Sequence, residues 1–116
     1  MSVDQLAITE KYESFVDYVY PIAQSLPRRH GVAREKFLQA VFEQVNLLTI
    51  AGKSNQISRL YAADAGLAYL RFWLRFLAHP GRKLIGQHQH RVALAQLAEV
   101  GRLLGAWIQK SQKARG

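Results

Sequence analysis

The chain of 116 residues carries 16 Lys and Arg side chains against 8 Asp and Glu, which gives it a net charge of +8. It contains no cysteine, so disulfides and thiolate metal sites are excluded, as is typical of a reducing, intracellular compartment. Hydrophobic residues make up 49% of the chain, too many for a disordered polymer, yet no apolar run is long enough to span a membrane. We predict one cytoplasmic domain of residues 1–116 with an anionic partner.

The positive charge is unevenly distributed along the chain. Residues 1–27 hold four acidic side chains and one lysine, a net charge of −3. Residues 28–116 hold fifteen basic and four acidic side chains, a net charge of +11. A basic surplus can serve solubility alone. Because attraction to phosphates grows with the number of cations presented, we favour an anionic surface or polymer as the partner.

The spacing of apolar residues is helical throughout, at i, i+3, i+4 and i+7. Pro21 lies inside the first predicted helix, where it should kink or interrupt the helix, and Pro27 should end it. Matched lengths and short connections favour an all-α fold, an antiparallel up-down four-helix bundle. The four helices are predicted at residues 3–26, 33–51, 55–78 and 88–112.

The third predicted helix is apolar on two opposite faces. A stripe of leucine and alanine centred on Leu67 predicts its contact with the bundle core. The other face should be polar in a monomeric bundle, but it carries large aromatic residues, which often mark an interface. We therefore predict an oligomer interface, and the alternative is that the rings cover neighbouring helices. The aromatic residues of this face are Tyr69, Phe72, Trp73 and Phe76.

Three glycines lie inside the predicted helices, Gly66 in the third and Gly101 and Gly105 in the fourth. A glycine within a helix costs about 1 kcal/mol relative to alanine, so a packing reason is expected. We predict that these glycines permit the close approach of a neighbouring helix.

No pattern in the sequence strongly indicates catalysis or a metal site. Gly52-Lys53-Ser54 resembles the end of a phosphate-binding P-loop, but Leu47 stands where that motif requires glycine. The four histidines lack the spacing that places two ligands on one helical face. Asp64 and Glu99 leave open the alternative of a small hydrolase. We expect no enzymatic activity, no metal and no cofactor.

Two basic segments are predicted at the same end of the bundle, namely the loop between helices 1 and 2 and the end of helix 3 with its following loop. Arginine binds phosphate bidentately, so we predict contact with a phosphate backbone. The alternatives are a solvated charge cluster and arginines that bridge subunits. No motif for base-specific readout is present. The predicted site residues are Arg28, Arg29, His30, Arg71, Arg75, Arg82 and Lys83, and His79 continues the helix-3 row.

Three runs of sequence resemble the accessory variability determinant proteins of diversity-generating retroelements, which are bacterial or phage-encoded. The resemblance covers about Tyr12 to Ile108 and is weak from His79 to Arg91. The runs are YPIAQSLPRRHGVARE (20–35), AGKSNQISRLYAADAGLAYLRFWLRFLA (51–78) and AEVGRLLGAWI (98–108).

The resemblance implies a four-helix bundle that assembles as a barrel-like homopentamer with a basic surface, a central channel and no catalytic activity. It implies association with the retroelement's reverse transcriptase and binding of RNA and DNA with little sequence preference. In that family, the pair makes mutagenised cDNA from a template-repeat RNA, and the cDNA replaces a variable repeat in a target gene, which is mutagenic retrohoming. The residues themselves leave open a stand-alone nucleic-acid-binding bundle and a purely structural oligomer.

Overall fold

In a computed structural model that describes residues 3–54 and 56–115, the chain folds into four long helices, and these residues include no β-strand. The prediction of an all-α fold of four helices is confirmed. No helix among the described residues is long and apolar enough to cross a membrane. The helices are α1 (Val3–Gln24), α2 (Gly31–Ser54), α3 (Ile57–Ala78) and α4 (Gln87–Arg115).

The observed helix boundaries differ from the predicted ones by at most three residues. A single 3₁₀ turn, Arg28–His30, joins α1 to α2, and α2 begins two residues earlier and ends three residues later than predicted. The predicted first residue of the third helix, Asn55, lies outside the described residues. The α3–α4 connection spans residues 79–86 and is the longest of the loops.

Proline shapes the end of α1. The helix continues through Pro21 without a break and ends at Gln24, before Pro27. Proline disfavours helical backbone at the residue before it, which is Leu26. The Leu26 amide accordingly donates to the Ala23 carbonyl at 3.2 Å. This bond joins residues three apart, as in a 3₁₀ turn, instead of the four apart of an α-helix. The helix thus closes with a tightened turn.

The four helices pack in a ring, so that α1 contacts α2 and α4, and α3 contacts the same two helices. Contacts join the start of α1 to the end of α2, where the Gln5 side chain donates to the Gly52 carbonyl at 3.2 Å. They also join the start of α3 to the end of α4, where Gln112 donates to the Tyr61 hydroxyl. Neighbouring helices therefore run antiparallel, as in an up-down bundle.

The core is one apolar cluster to which all four helices contribute. Phe15, Val41, Leu70 and Leu97 come from successive helices and are fully buried. Tyr12 is also buried, and its hydroxyl donates to the Val41 carbonyl at 2.5 Å. Burial raises the pKa of Tyr12, so the ring stays neutral at physiological pH. This bond ties α1 to α2 inside the core.

Ile85 of the α3–α4 loop closes one end of the bundle. It lines a small internal cavity together with Ile22 of α1, Phe37 of α2 and Leu77 of α3. The Ile85 amide donates to the Leu77 carbonyl at 3.2 Å, which holds the loop against the end of α3. The 3₁₀ turn and the α3–α4 loop therefore lie at the same end of the molecule.

Candidate nucleic-acid interface

The net charge of the chain resides in its second half. Residues 1–54 hold six basic and six acidic side chains, whereas residues 55–116 hold ten basic and two acidic ones. Between Asp64 and Glu99 there is no acidic residue, but there are five Arg or Lys and three His. This acid-free segment covers most of α3, the following loop and the start of α4, so its cations lack nearby carboxylates in sequence and create a positive potential.

A groove lies between the end of α3 and the start of α4, and we name it the cationic groove. Two arginines and two histidines contribute to it, and its described lining includes no acidic side chain. Both helices and the first residues of the loop supply its walls. The groove is lined by Arg75, Ala78, His79, Pro80, Gln87, His90 and Arg91.

The two histidines of the groove have different hydrogen-bonding states. Nδ1 of His79 accepts the Gly81 amide at 3.0 Å, so the proton of the neutral ring resides on Nε2, which can donate to a ligand. Nε2 of His90 is buried and has no hydrogen-bond partner among the described residues. Most buried polar atoms in proteins are bonded, so the His90 nitrogen is an exception that needs an explanation.

Arg71 continues the line of cations along α3, one turn before Arg75. Arg71 is half-buried, and its Nη2 lies 3.1 Å from the position that a Cβ would take at Gly101 of α4. The missing side chain at Gly101 thus leaves room for Arg71 beside α4. The predicted row of Arg71, Arg75 and His79 lies along the seam between α3 and α4, and α4 extends it.

Arg82 and Lys83 lie apart from the cationic groove. The guanidinium carbon of Arg82 sits 3.8 Å from the centre of the Phe76 ring, and its Nε donates to the Phe76 carbonyl at 2.9 Å. This is a cation–π contact. Lys83 is exposed and has a φ of 49°, a left-handed backbone conformation. Arg82 therefore packs against the aromatic residues of α3. The sequence analysis instead predicts that it continues the line of cations that begins at Arg71.

The basic 3₁₀ turn lies at the same end of the bundle as the cationic groove. Arg28 and Arg29 are exposed, and His30 is half-buried. Nε of Arg29 donates to Nε2 of His30 at 3.3 Å, so these two side chains face each other. None of the three residues of this turn belongs to the described lining of the groove. The two basic segments are separate cationic surfaces at one end of the molecule.

The aromatic residues of α3 form a connected outer face, which we name the α3 aromatic face. Tyr69 stacks on Phe72 with their ring centres 6.3 Å apart, and Trp73 packs edge-on against Phe72 and Phe76. Tyr69 and Phe72 are 50% and 44% exposed, whereas Trp73 and Phe76 are half-buried against the core. Trp73 and Phe76 thus pack against the core of the bundle. Tyr69 and Phe72 instead leave apolar surface exposed to solvent.

The two carboxylates that raised the hydrolase alternative lie in ordinary surroundings. Asp64 is exposed, and Glu99 bonds to Arg102 with its Oε1 2.6 Å from Nη2. The hydrogen bond from Arg102 lowers the pKa of Glu99, which makes this carboxyl a poor proton donor near neutral pH. In the part of the chain that the structure describes, no three His, Asp or Glu side chains are grouped so that they could hold a metal ion.

A protein-family model described as bAvd-like matches residues 6–111, which span all four helices. The chain belongs to the bAvd-like family. The resemblance to accessory variability determinant proteins is thereby confirmed. No curated protein matches the sequence. The family match of this bAvd-like chain includes residues 79–91, so the cationic groove lies within the family's own domain.

Two residues of the groove in this bAvd-like chain, His90 and Arg91, are not among the predicted site residues. The sequence pattern assigns residues 79–87 to a loop, and the spacing of the histidines argues against a metal site without identifying which of them lies beside a phosphate. A usable signal is present, because the acid-free segment between Asp64 and Glu99 contains every cation that the groove brings together.

Proposed function

We propose that this bAvd-like chain is a non-catalytic accessory protein of a diversity-generating retroelement. It binds the retroelement's reverse transcriptase and nucleic acid, either template RNA or cDNA, through its basic surface, and it thereby supports mutagenic cDNA synthesis and retrohoming in the cytoplasm. The family match supports the retroelement role. The observation that carries the nucleic-acid part is the acid-free segment, which concentrates uncompensated cations along one seam and one end of the bundle.

The mechanism we propose is electrostatic. Arginine and lysine side chains bind phosphates and release condensed counterions, so binding weakens as salt rises and depends little on base sequence. Arg28 and Arg29 on the 3₁₀ turn and the cations of the α3–α4 seam offer separate surfaces for this purpose. Separate surfaces suit a protein that contacts both a polymerase and its nucleic acid, because one can be occupied while the other remains accessible.

The distribution of exposed apolar side chains supports the homopentamer. Besides the α3 aromatic face, a second apolar surface lies between α1 and α2, where Tyr20 and Phe42 pack edge-on with their ring centres 6.0 Å apart. Tyr20, Phe42 and the neighbouring Val45 are 39%, 50% and 43% exposed. A ring of identical subunits needs two different surfaces that fit each other, whereas a two-fold dimer needs only one.

The charges beside these two surfaces are complementary. The Arg82 guanidinium lies over the Phe76 ring of the α3 aromatic face, and Glu35 lines a shallow groove with Phe42 on α2. Opposite charges at the rims of two apolar patches favour their association and set its orientation. Five chains in a ring would carry a formal charge of about +40, which would attract a polyanion strongly.

The test is to express the chain with the reverse transcriptase encoded beside it and to purify the pair through a tag on the polymerase. We expect the two proteins to co-elute at low salt, because both contacts are electrostatic. We also expect the chain to bind single-stranded RNA. For each neutralised phosphate, the logarithm of the binding constant should fall by about 0.7 for every tenfold rise in salt concentration. Light scattering on the same sample measures the mass of the assembly.

Each failure has a distinct meaning. RNA binding without co-elution of the polymerase would favour a stand-alone nucleic-acid-binding bundle, the alternative function. RNA binding no tighter than that of an unrelated protein with equal net charge would leave only the structural oligomer. A species of 13.2 kDa at all concentrations would remove the homopentamer from the proposal.

A further inference from the structure

The start of α4 is electrostatically unusual. Its first five residues include His88, His90 and Arg91 and no acidic residue. The N-terminal end of a helix carries a partial positive charge from its unpaired backbone amides, so acidic side chains are favourable there and cations are unfavourable. The position of Arg91 and His90 is therefore not explained by the stability of α4, unlike that of Arg75, whose place in the last turn of α3 is favourable.

The opposing wall of the cationic groove makes this arrangement still less favourable for the empty protein. Arg75 and His79 come from the end of α3 and line the same groove as His90 and Arg91. Like charges that share a groove repel each other, and the chain offers no acidic residue between Asp64 and Glu99 to offset them. An anion in the groove would relieve the repulsion and use the positive end of α4.

The hydrogen-bonding state of the groove also suits an anion. The Gly81 amide occupies Nδ1 of His79, so Nε2 is left as a donor, and the guanidinium groups of Arg75 and Arg91 are donors only. A group with several acceptor oxygens and a negative charge fits this set of donors, and a cation or an apolar group does not.

We propose that the cationic groove binds a phosphodiester group of a single nucleic-acid strand, with Arg75 and Arg91 on its two walls and the Nε2 proton of His79 as a third donor. This inference rests on the proposed function and adds the place and the chemical group of the contact. Arginine forks hold phosphate oxygens in pairs, which fixes the strand in position without reading its bases.

The continuation of the groove favours a strand over an isolated acidic side chain. Arg71 lies one turn before Arg75 along the seam, about 6 Å away at a rise of roughly 1.5 Å per residue. A nucleic-acid strand carries a charge on every nucleotide and can occupy both positions at once. A carboxylate from a protein surface would fill the groove but leave the half-buried Arg71 without an anion.

The test compares substitutions that change the net charge by the same amount on the same helix. Arg75→Gln and Arg91→Gln remove a cation from the groove, and Arg59→Gln and Arg102→Gln remove one from exposed positions of α3 and α4 outside it. The affinity of each full-length variant for a short fluorescent oligouridylate is measured by anisotropy at one salt concentration. We expect about a tenfold loss for each groove variant, and about a twofold loss for each control from general electrostatics.

Equal losses for groove and control variants would overturn the groove and leave the proposed function intact, because binding would then depend on net charge alone. Full retention of oligouridylate binding by the groove variants with loss of polymerase co-elution would also overturn it, since the groove would hold a carboxylate of the polymerase. Circular dichroism of each variant verifies that the helices are kept.

A second measurement separates the groove from the proposed function. Inorganic phosphate is added to the free protein, and the imidazole resonances of His79, His90 and His30 are followed by NMR. We expect saturable shifts for His79 and His90 and smaller ones for His30, which lies on the separate 3₁₀ turn. If oligouridylate does not bind at all, the proposed function fails, and the presence or absence of these shifts still decides whether the groove holds phosphate.

Discussion

The two sides of α3 contact their neighbours in opposite ways. Toward α2 the packing is tight, because Gly66 faces the side chains of Gln44 and Leu47, which lie 2.0 and 3.0 Å from the position of a Cβ at Gly66. At the glycines of α4 there is more space, because a Cβ at Gly101 would lie 3.1 Å from the flexible end of Arg71 and 3.8 Å from Leu67, and a Cβ at Gly105 would have no described atom within 4 Å. A side chain therefore has no room at Gly66, whereas one can be accommodated at Gly101 and Gly105.

The difference shows how this bundle separates stability from binding. The α2–α3 seam contains a buried hydrogen bond, in which Nε2 of Gln44 donates to the Ala63 carbonyl at 2.8 Å. The α3–α4 seam instead contains the half-buried Arg71 and ends in the cationic groove. Cations there have little reason to be selected for folding, since well-packed apolar residues would stabilise the seam at least as well.

The largest expected effect comes from closing the tight seam further, by Gly66→Ala. The new Cβ would overlap Oε1 of Gln44, a buried oxygen without a partner among the described residues, so the amide must move and strain its bond to Ala63. Overpacking and a disturbed buried hydrogen bond outweigh the helix propensity of alanine, and we expect a net loss of about 2 kcal/mol in the free energy of unfolding. Urea denaturation followed by circular dichroism measures it.

A Gly66→Ala variant as stable as the unmodified chain would contradict the tight seam. The double variant Gly66→Ala with Gln44→Ala serves as a control for the mechanism. It removes the overlapping amide, so the effect of the alanine at position 66 should become smaller in that background.

Periodicity predicts the core stripe of α3 well, because Leu67, Leu70 and Leu74 are all buried as their spacing requires. It predicts the three glycines only in part, since Gly66 does face a close neighbour and Gly105 does not. Sequence spacing gives the face of a helix on which a residue lies, but the distance between helices depends on the side chains of both partners.

The candidate site could be predicted from sequence only along α3 itself. Arg71 and Arg75 follow from their four-residue spacing, which places them on one edge of a helix. The position of Arg91 relative to Arg75 depends on the path of the α3–α4 loop. In this loop Lys83 adopts a left-handed backbone conformation, which the sequence pattern does not predict. Lysine has no preference for that conformation, so the course of the loop is set by its contacts with the end of α3.

The open seam is probed by Gly105→Ala, for which a smaller effect of opposite sign is expected. A methyl group at this position meets no described atom within 4 Å, so the substitution adds helix propensity without strain. We expect a gain of about 0.8 kcal/mol in the free energy of unfolding, measured in the same urea experiment as for Gly66→Ala. A loss of stability that grows with protein concentration would instead mean that another subunit covers this part of α4.

The smallest effect is expected at Gly101, where the seam is neither closed nor empty. A Cβ at Gly101 would lie 3.1 Å from Nη2 of Arg71, the far end of a flexible side chain that can shift by the few tenths of an ångström required. The gain in helix propensity is then partly offset, and we expect Gly101→Ala to stabilise the fold by about 0.3 kcal/mol.

In an Arg71→Ala background the obstruction is gone, so the same substitution should give the full gain of about 0.8 kcal/mol expected at Gly105. A double-mutant cycle in urea therefore measures a coupling of about 0.5 kcal/mol between the two positions. A coupling of zero would place the Arg71 side chain in solvent, away from the α3–α4 seam.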